Sequence, residues 1–228
     1  KNLLDAAVNN HAQVAICGFS KNLQDGDKDY YVSTLGREEA LERMMYQKTI
    51  TASPWAKLYH RKLFLKTRYV EGNIATDFGT MYRILAECQR VALLDYIGYN
   101  YTYRSSSIIN SSFKRQRMDG LKYAEDQYLF IKKNYPALVD AAKNRYFMEA
   151  VFIISTIPSS GSKYTTEYNV CAEVIKRFRT TTLFNKRSRP IYRLYAASSF
   201  IGIRTLVRAI GLKNNLKLLI DGMKETKQ

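Results

Sequence analysis

Apolar and polar positions change rhythm near the middle of the chain. In the first half, short apolar runs alternate with helical periods. AQVAICGFS (Ala12 to Ser20) holds an apolar run of strand length closed by Gly and Ser. It predicts a buried strand following a helix in KNLLDAAVNN. QDGDKD (Gln24 to Asp29) predicts a turn, and YYVSTL a second short strand. REEALERMMYQ predicts a helix behind Gly36, with Glu38 and Glu39 in its first turn, where the helix dipole favours acids. In TASPWAKLYHRKLFL, Pro54 holds Ser53 extended, and a short helix is expected to end at KLF. A helix from Asp77 to Cys88 follows, then two strands, RVALLD and YIGYNYTYRS. In the second of these, Tyr99, Tyr101 and Tyr103 alternate with Gly98, Asn100 and Thr102, so a period of two puts the three tyrosines on one face.

From Phe113 onward the period is helical. RMDGLKYAEDQYLFIKKNY stops at Pro136, which suits the first turn of the next helix, ALVDAAKNRYFMEAVFIIST. EYNVCAEVIKRFR is a third helix in this half. RPIYRLYAASSFIGIRTLVRAIG is a fourth, with Pro190 near its start, and LKNNLKLLIDGMK a short fifth. The pattern predicts an α/β first part, residues 1–110, and a mainly helical second part, residues 111–228, with a boundary near Ser111.

Composition sharpens this picture. At 228 residues, 46% hydrophobic and 25% charged, the chain can bury a substantial core. Its 18 tyrosines suit clefts where one end of a side chain stays wet. Cys17, Cys88 and Cys171 are far apart and odd in number, which argues against a disulfide framework or a zinc site and for buried thiols in a reducing compartment. Two histidines, His11 and His60, without ligand-spaced partners exclude an obvious metal-histidine centre. No signal-peptide pattern opens the chain, and no apolar run approaches the roughly 18–20 residues of a membrane span. The abrupt start, without Met and already helical, suggests a fragment of a longer protein.

Net charge is +16 and uneven. From Lys176 to Gln228 there are 13 Lys or Arg against two acids, Asp221 and Glu225. On one continuous helix, Arg189, Arg193, Arg204 and Arg208 would fall within about a 100° stripe opposite a mainly apolar face. Such a stripe is either a solvated basic face or a surface for anionic lipid headgroups. Nucleic acid is the weaker option, because no nucleic-acid motif accompanies the charge.

Four segments, in order, resemble the second part of a family 2 glycosyltransferase of the GT-A fold. NNHAQVAICGFS resembles the family's "adivicgf" strand; SPWAKLYHRKLF resembles "vwnKLyrrelf". YVEGNIATDFGTMYRILAECQRV resembles "f.eg..yED..ft.kll..akkv", and YNYTYRSSSI resembles "yYyR.r.gSi". The likeness covers residues 1–110 and implies a partial, Rossmann-like GT-A domain holding the acceptor side. The family's donor-side motifs, including the Asp-x-Asp that binds a divalent metal, are absent; Asp27 and Asp29 stand in the wrong place and read as a turn. The resemblance implies a nucleotide-sugar donor and Mg or Mn for the full-length protein, with no metal or cofactor bound by this fragment and no activity of the fragment alone. It also implies a glycan or lipid-linked acceptor in cell-surface polysaccharide synthesis. The expected location is the cytoplasm, with peripheral attachment to the inner membrane face if the basic tail meets lipid.

The resemblance makes Asp77 the general base that takes the proton of the acceptor hydroxyl. Read alone, Asp77 needs no role beyond that of a helix cap. Thr76 stands where the family has Glu, which leaves any job of that first acid open. Trp55 is either core or a platform for a sugar ring. Lys57 is a surface lysine or a partner for a phosphate or carboxylate. Glu71 is a candidate for the acceptor cleft, and Tyr103 with Arg104 for contact with a diphosphate. A non-enzymatic basic module binding membrane or nucleic acid is the competing class of function.

Overall fold

The computed structural model describes residues 1–20, 30–102, 113–158 and 162–211. It is a mixed α/β structure. The elements are α1 (Asn2–Asn9), β1 (Val14–Ser20), β2 (Val32–Gly36), α2 (Arg37–Met45), β3 (Lys57–Tyr59), α3 (Thr76–Glu87) and β4 (Arg90–Asn100). Then come α4 (Met118–Asn134), α5 (Val139–Thr156), α6 (Thr165–Phe184) and α7 (Pro190–Ile201), with residues 203–211 again helical. The predicted QDGDKD turn, the SSSIINSS loop and the LKNNLKLLIDGMK helix lie outside the described residues.

The four strands form one sheet in the order β2-β4-β1-β3. β1 runs parallel to β4, while β3 and β2 pair antiparallel at the edges. Alternation along β1 sets the two faces of the sheet. Val14 and Ile16 face α2 and α3 in the main core, with Val91 of β4 and Leu35 of β2. Ala15 and Cys17 face the other way, with Ala92, Leu94 and Ala6 of α1, in a smaller second core. Small side chains on that face let α1 pack closely on β1, β3 and β4. The main core continues without a break into the second half: Tyr146, Phe147, Cys171 and Ile175 belong to the same cluster as Val14 and Met81. α3 packs on α4 and α2 on α5.

Two expectations for the first half are corrected. RVALLD and YIGYN are not two strands but one, β4. Against β1 its register runs from Ile16 opposite Leu93 to Gly18 opposite Ile97, so extra residues of β4 bulge there. Asp95 breaks the apolar run at this bulge because it serves the edge strand: its Oδ1 accepts from the Tyr31 N–H at 2.6 Å. In TASPWAKLYHRKLFL, Lys57–Tyr59 is an edge strand, and only Arg61–Leu65 is helical, as a 3-10 turn. His60 starts that turn, its Nδ1 accepting from the Lys62 N–H at 3.3 Å.

The remaining major elements follow their sequence signals. α2 starts directly after Gly36 with both acids in its first turn. Pro136 opens a 3-10 turn leading into α5, and Pro190 opens α7. The helix carrying the four arginines is not continuous, however. Gly202 is extended (φ 163°, ψ 151°) and ends α7, and the chain re-enters helix at residue 203. Gly costs a helix interior about 1 kcal/mol relative to Ala, which makes it the weak link. The single stripe expected for Arg189, Arg193, Arg204 and Arg208 is therefore divided between two helical segments.

Candidate functional site

The N-terminus of α3 opens on a cleft of about 640 Å³. Local sequence builds this end. Gly72 (φ 80°) and Ala75 (φ 57°) both take left-handed backbone, which turns the chain out of the preceding loop so that the helix starts at Thr76. The cap position is Ala75, not Asp77, and it contributes no side-chain hydrogen bond. Asp77 sits inside the first turn, where the helix dipole favours an acid. Its Oδ1 accepts from the Phe78 N–H at 2.8 Å. Oδ2 has no hydrogen-bond partner among the described residues. Thr76 and Asp77 line the cleft with Ser53, Asn73 and Phe78.

The opposite wall comes from the helical half. Arg145 and Glu149 of α5 pair across one turn at 3.0 Å, both nearly buried. The Arg145 guanidinium lies 4.1 Å from the centroid of the Phe78 ring, tying this pair to the residue beside Asp77. Glu149 also presses on α4, where a side chain at Gly120 would meet its Oε1 at 2.5 Å. Arg117, buried in the turn before α4, has its guanidinium 5.8 Å from the Phe152 ring centroid. Arg189, exposed at the cap of α7, and Tyr192 in that helix's first turn complete the wall.

Lys57 stands between this cleft and a second cavity. Its Nζ donates to the Ser53 carbonyl at 2.6 Å and reaches the Trp55 carbonyl at 3.5 Å. Burial pushes its pKa down to about 8, against the smaller upward pulls of Cys17 and Asp77. The second cavity, about 510 Å³, is lined by Lys57, Trp55, Cys17, Phe19, Tyr31 and Asp95, among others. Trp55 stacks on Tyr99 with ring centroids 5.0 Å apart, meets Phe19 edge-on at 4.6 Å and leans on Tyr101 at 5.1 Å. Tyr99 and Tyr101 thus share a face, as their alternation predicts.

Asp77 and Thr76 therefore share one cleft, and Lys57 touches its rim electrostatically. Trp55 belongs to the neighbouring aromatic cavity. Glu71 is exposed on the turn before Gly72 and is not among the residues lining the Asp77 cleft. Tyr103 and Arg104 lie outside the described residues. Of the four arginines, only Arg189 lines the cleft. Arg193 is exposed, its Nε donating to the Leu183 carbonyl at 3.0 Å. Arg204 and Arg208 sit on a third cavity, about 420 Å³, with Ile154, Tyr168 and Val207. All three cysteines are free and buried.

Sequence reasoning missed Arg117, Arg145, Glu149 and Tyr192. One signal was available: Arg145 and Glu149 interrupt NRYFMEAVFIIST at i,i+4 spacing within an otherwise apolar stretch, which marks a buried ion pair. Tyr69 was missed too. Its hydroxyl is buried without a hydrogen-bond partner among the described residues, and burial, with the Asp77 charge second, raises its pKa.

Comparison with protein-family models and with curated proteins gives no match.

Proposed function

We propose that the chain forms the acceptor side of an inverting GT-A sugar transferase, with Asp77 as general base. The observation that carries this reading is the state of the Asp77 carboxylate. One oxygen is held by the Phe78 N–H, the other has no partner among the described residues, and the group lines a cleft large enough for a sugar-sized acceptor. The order of the four family-like segments supports it. In the reaction, Asp77 takes the proton of an acceptor hydroxyl as that oxygen attacks the anomeric carbon. The nucleotide diphosphate departs with the bonding electron pair, and configuration inverts. Among the described residues no three His, Cys, Asp or Glu side chains group to hold a metal, so no step is assigned to a metal held by them. A nucleotide-sugar donor with Mg or Mn is what the family resemblance implies.

The expected acceptor is a glycan or a lipid-linked precursor of cell-surface polysaccharide. Among the described residues, no helix is long and apolar enough to cross a membrane. The exposed side chains of Leu194, Phe200 and Ile201, beside Arg193 and Arg204, support a peripheral place on an anionic membrane face.

The test is Asp77→Asn in the transferase that includes the donor-binding part. Turnover should fall at least ~100-fold with donor affinity little changed, the low end for loss of a general base. Near-normal turnover would remove Asp77 from the mechanism.

A further inference from the structure

The second cavity, beside Lys57, is built on one row of paired residues. Lys57 of β3 stands opposite Ile16 of β1, Ile16 opposite Leu93 of β4, and Leu93 opposite Ser33 of β2. Paired residues share a face of a sheet, so these four side chains cross it in one line. All four line the cavity of about 510 Å³. Its floor is apolar in the middle, with an amine at one end and a hydroxyl at the other. The amine is the unusual group. It is half-buried, its Nζ donates to the Ser53 carbonyl at 2.6 Å and reaches the Trp55 carbonyl at 3.5 Å, and it makes no ion pair among the described residues. An ammonium in such a place lacks the carboxylate that would compensate its desolvation. A neutral amine needs none: its two hydrogens suit the two carbonyls, and its lone pair is left for the cavity. We propose that this cavity binds a small aldehyde with an apolar body, and that Lys57 holds it as an imine.

In that step the Nζ lone pair forms the bond to the carbonyl carbon, and the C=O π pair moves onto oxygen. Both amine protons end on that oxygen, which leaves as water while the nitrogen pair closes the C=N bond. No oxidant or reductant is consumed. The apolar body of the aldehyde lies over Ile16 and Leu93. Burial supports the chemistry by bringing the Lys57 pKa down to about 8, so that neutral and charged forms are comparable at that pH; desolvation is one way a lysine becomes a nucleophile. Cys17 of β1 and Asp77 of α3 pull that pKa up, and Lys48, Tyr31 and Asp95 are the other titratable groups around the cavity. Both carboxylates have other partners: Asp95 accepts from the Tyr31 N–H and Asp77 from the Phe78 N–H. The site stands apart from sugar transfer, since Asp77 takes no part in the new bond.

The experiment treats the full chain at pH 8 with benzaldehyde and cyanoborohydride, which reduces an imine to a stable secondary amine. Peptide mass mapping then gives a labelling rate for each lysine. Lys48 is the internal control, because it is exposed and lines the same cavity. Lys57 should be labelled at least ~10-fold faster than Lys48, as a desolvated amine spends more of its time neutral. Its rate should level off as benzaldehyde is raised, because binding precedes the bond. Thr49 also lines the cavity and is exposed, so Thr49→Trp keeps the fold while obstructing the space. That variant should slow labelling of Lys57 and leave Lys133, exposed on α4, unchanged. Labelling of Lys57 no faster than that of Lys48 overturns the proposal. So does a rate that climbs in proportion to benzaldehyde without levelling, or one that Thr49→Trp does not reduce, since either would mean a reactive amine without a binding site.

Discussion

Lys57 sits in an environment that its type does not prefer. A half-buried ammonium between two carbonyls, with Asp77 as a charged neighbour, costs stability in its charged form. The sign follows from linkage. Its folded pKa, about 8, lies below its ordinary value of 10.5, so the unfolded chain binds more protons between those pH values. The penalty is complete below pH 8 and fades as pH rises toward 10.5. Cys17, whose thiol burial raises, pulls the other way as pH climbs, but it is present in both proteins compared. Lys57→Met should therefore be more stable than the parent at neutral pH, and the gap should close through that window. Urea midpoints at a series of pH values measure it; a gap that does not change with pH would mean that Lys57 is effectively solvated.

At the scale of elements, α3 aims Asp77, and α4 holds α3. The two helices approach closely at Gly79, where a Cβ would lie 2.5 Å from the Tyr123 ring. The Tyr123 hydroxyl accepts from the Asn73 amide at 3.0 Å, so the same ring steadies the loop before Asp77. Gly79→Ala should destabilise the fold by ~1–3 kcal/mol, as overpacking does, and should loosen that loop. Denaturant midpoints give the first effect, and hydrogen exchange at residues 73–78 the second. A variant as stable as the parent would show that Tyr123 simply moves aside. β1, α2 and α3 were legible in the sequence because each rests on its own period, two for the strand and about 3.6 for the helices. β4 was misread as two strands because the bulge at Asp95 interrupts the apolar run just as a turn would. β3 was misread because a three-residue edge strand beside a 3-10 turn has too few positions to show any period. The cleft was legible on one side only. Asp77 and Thr76 sit in a recognisable local motif, whereas Arg117, Arg145 and Tyr192 reach the cleft through tertiary packing that no window of sequence contains.

Positive charge is concentrated toward the end of the sequence, and the fold decides which of the described arginines there act together. The linker after α6 is pinned to α2: the Asn185 amide donates to the Tyr46 hydroxyl at 2.7 Å, and Arg187 pairs with Glu42. Arg189 is drawn into the cleft, leaving Arg193, Arg204 and Arg208 as the outward set. Near them Ile201 is 81% exposed and Leu194 60%, large apolar side chains with no cover among the described residues. Between Glu173 and Asp221 no acid dilutes the positive field. Exposed basic and apolar side chains close together in sequence suit a bilayer interface, where each Lys or Arg near an anionic surface contributes about 1 kcal/mol. Vesicles containing anionic lipid should therefore retain the protein, and retention should fall as salt shortens the range of the attraction. Arg193, Arg204 and Arg208 changed together to Ser should release it, because about 3 kcal/mol lost is more than a hundredfold in binding. Cosedimentation with vesicles reads the outcome. Unchanged retention by the triple variant would make these arginines an ordinary solvated face.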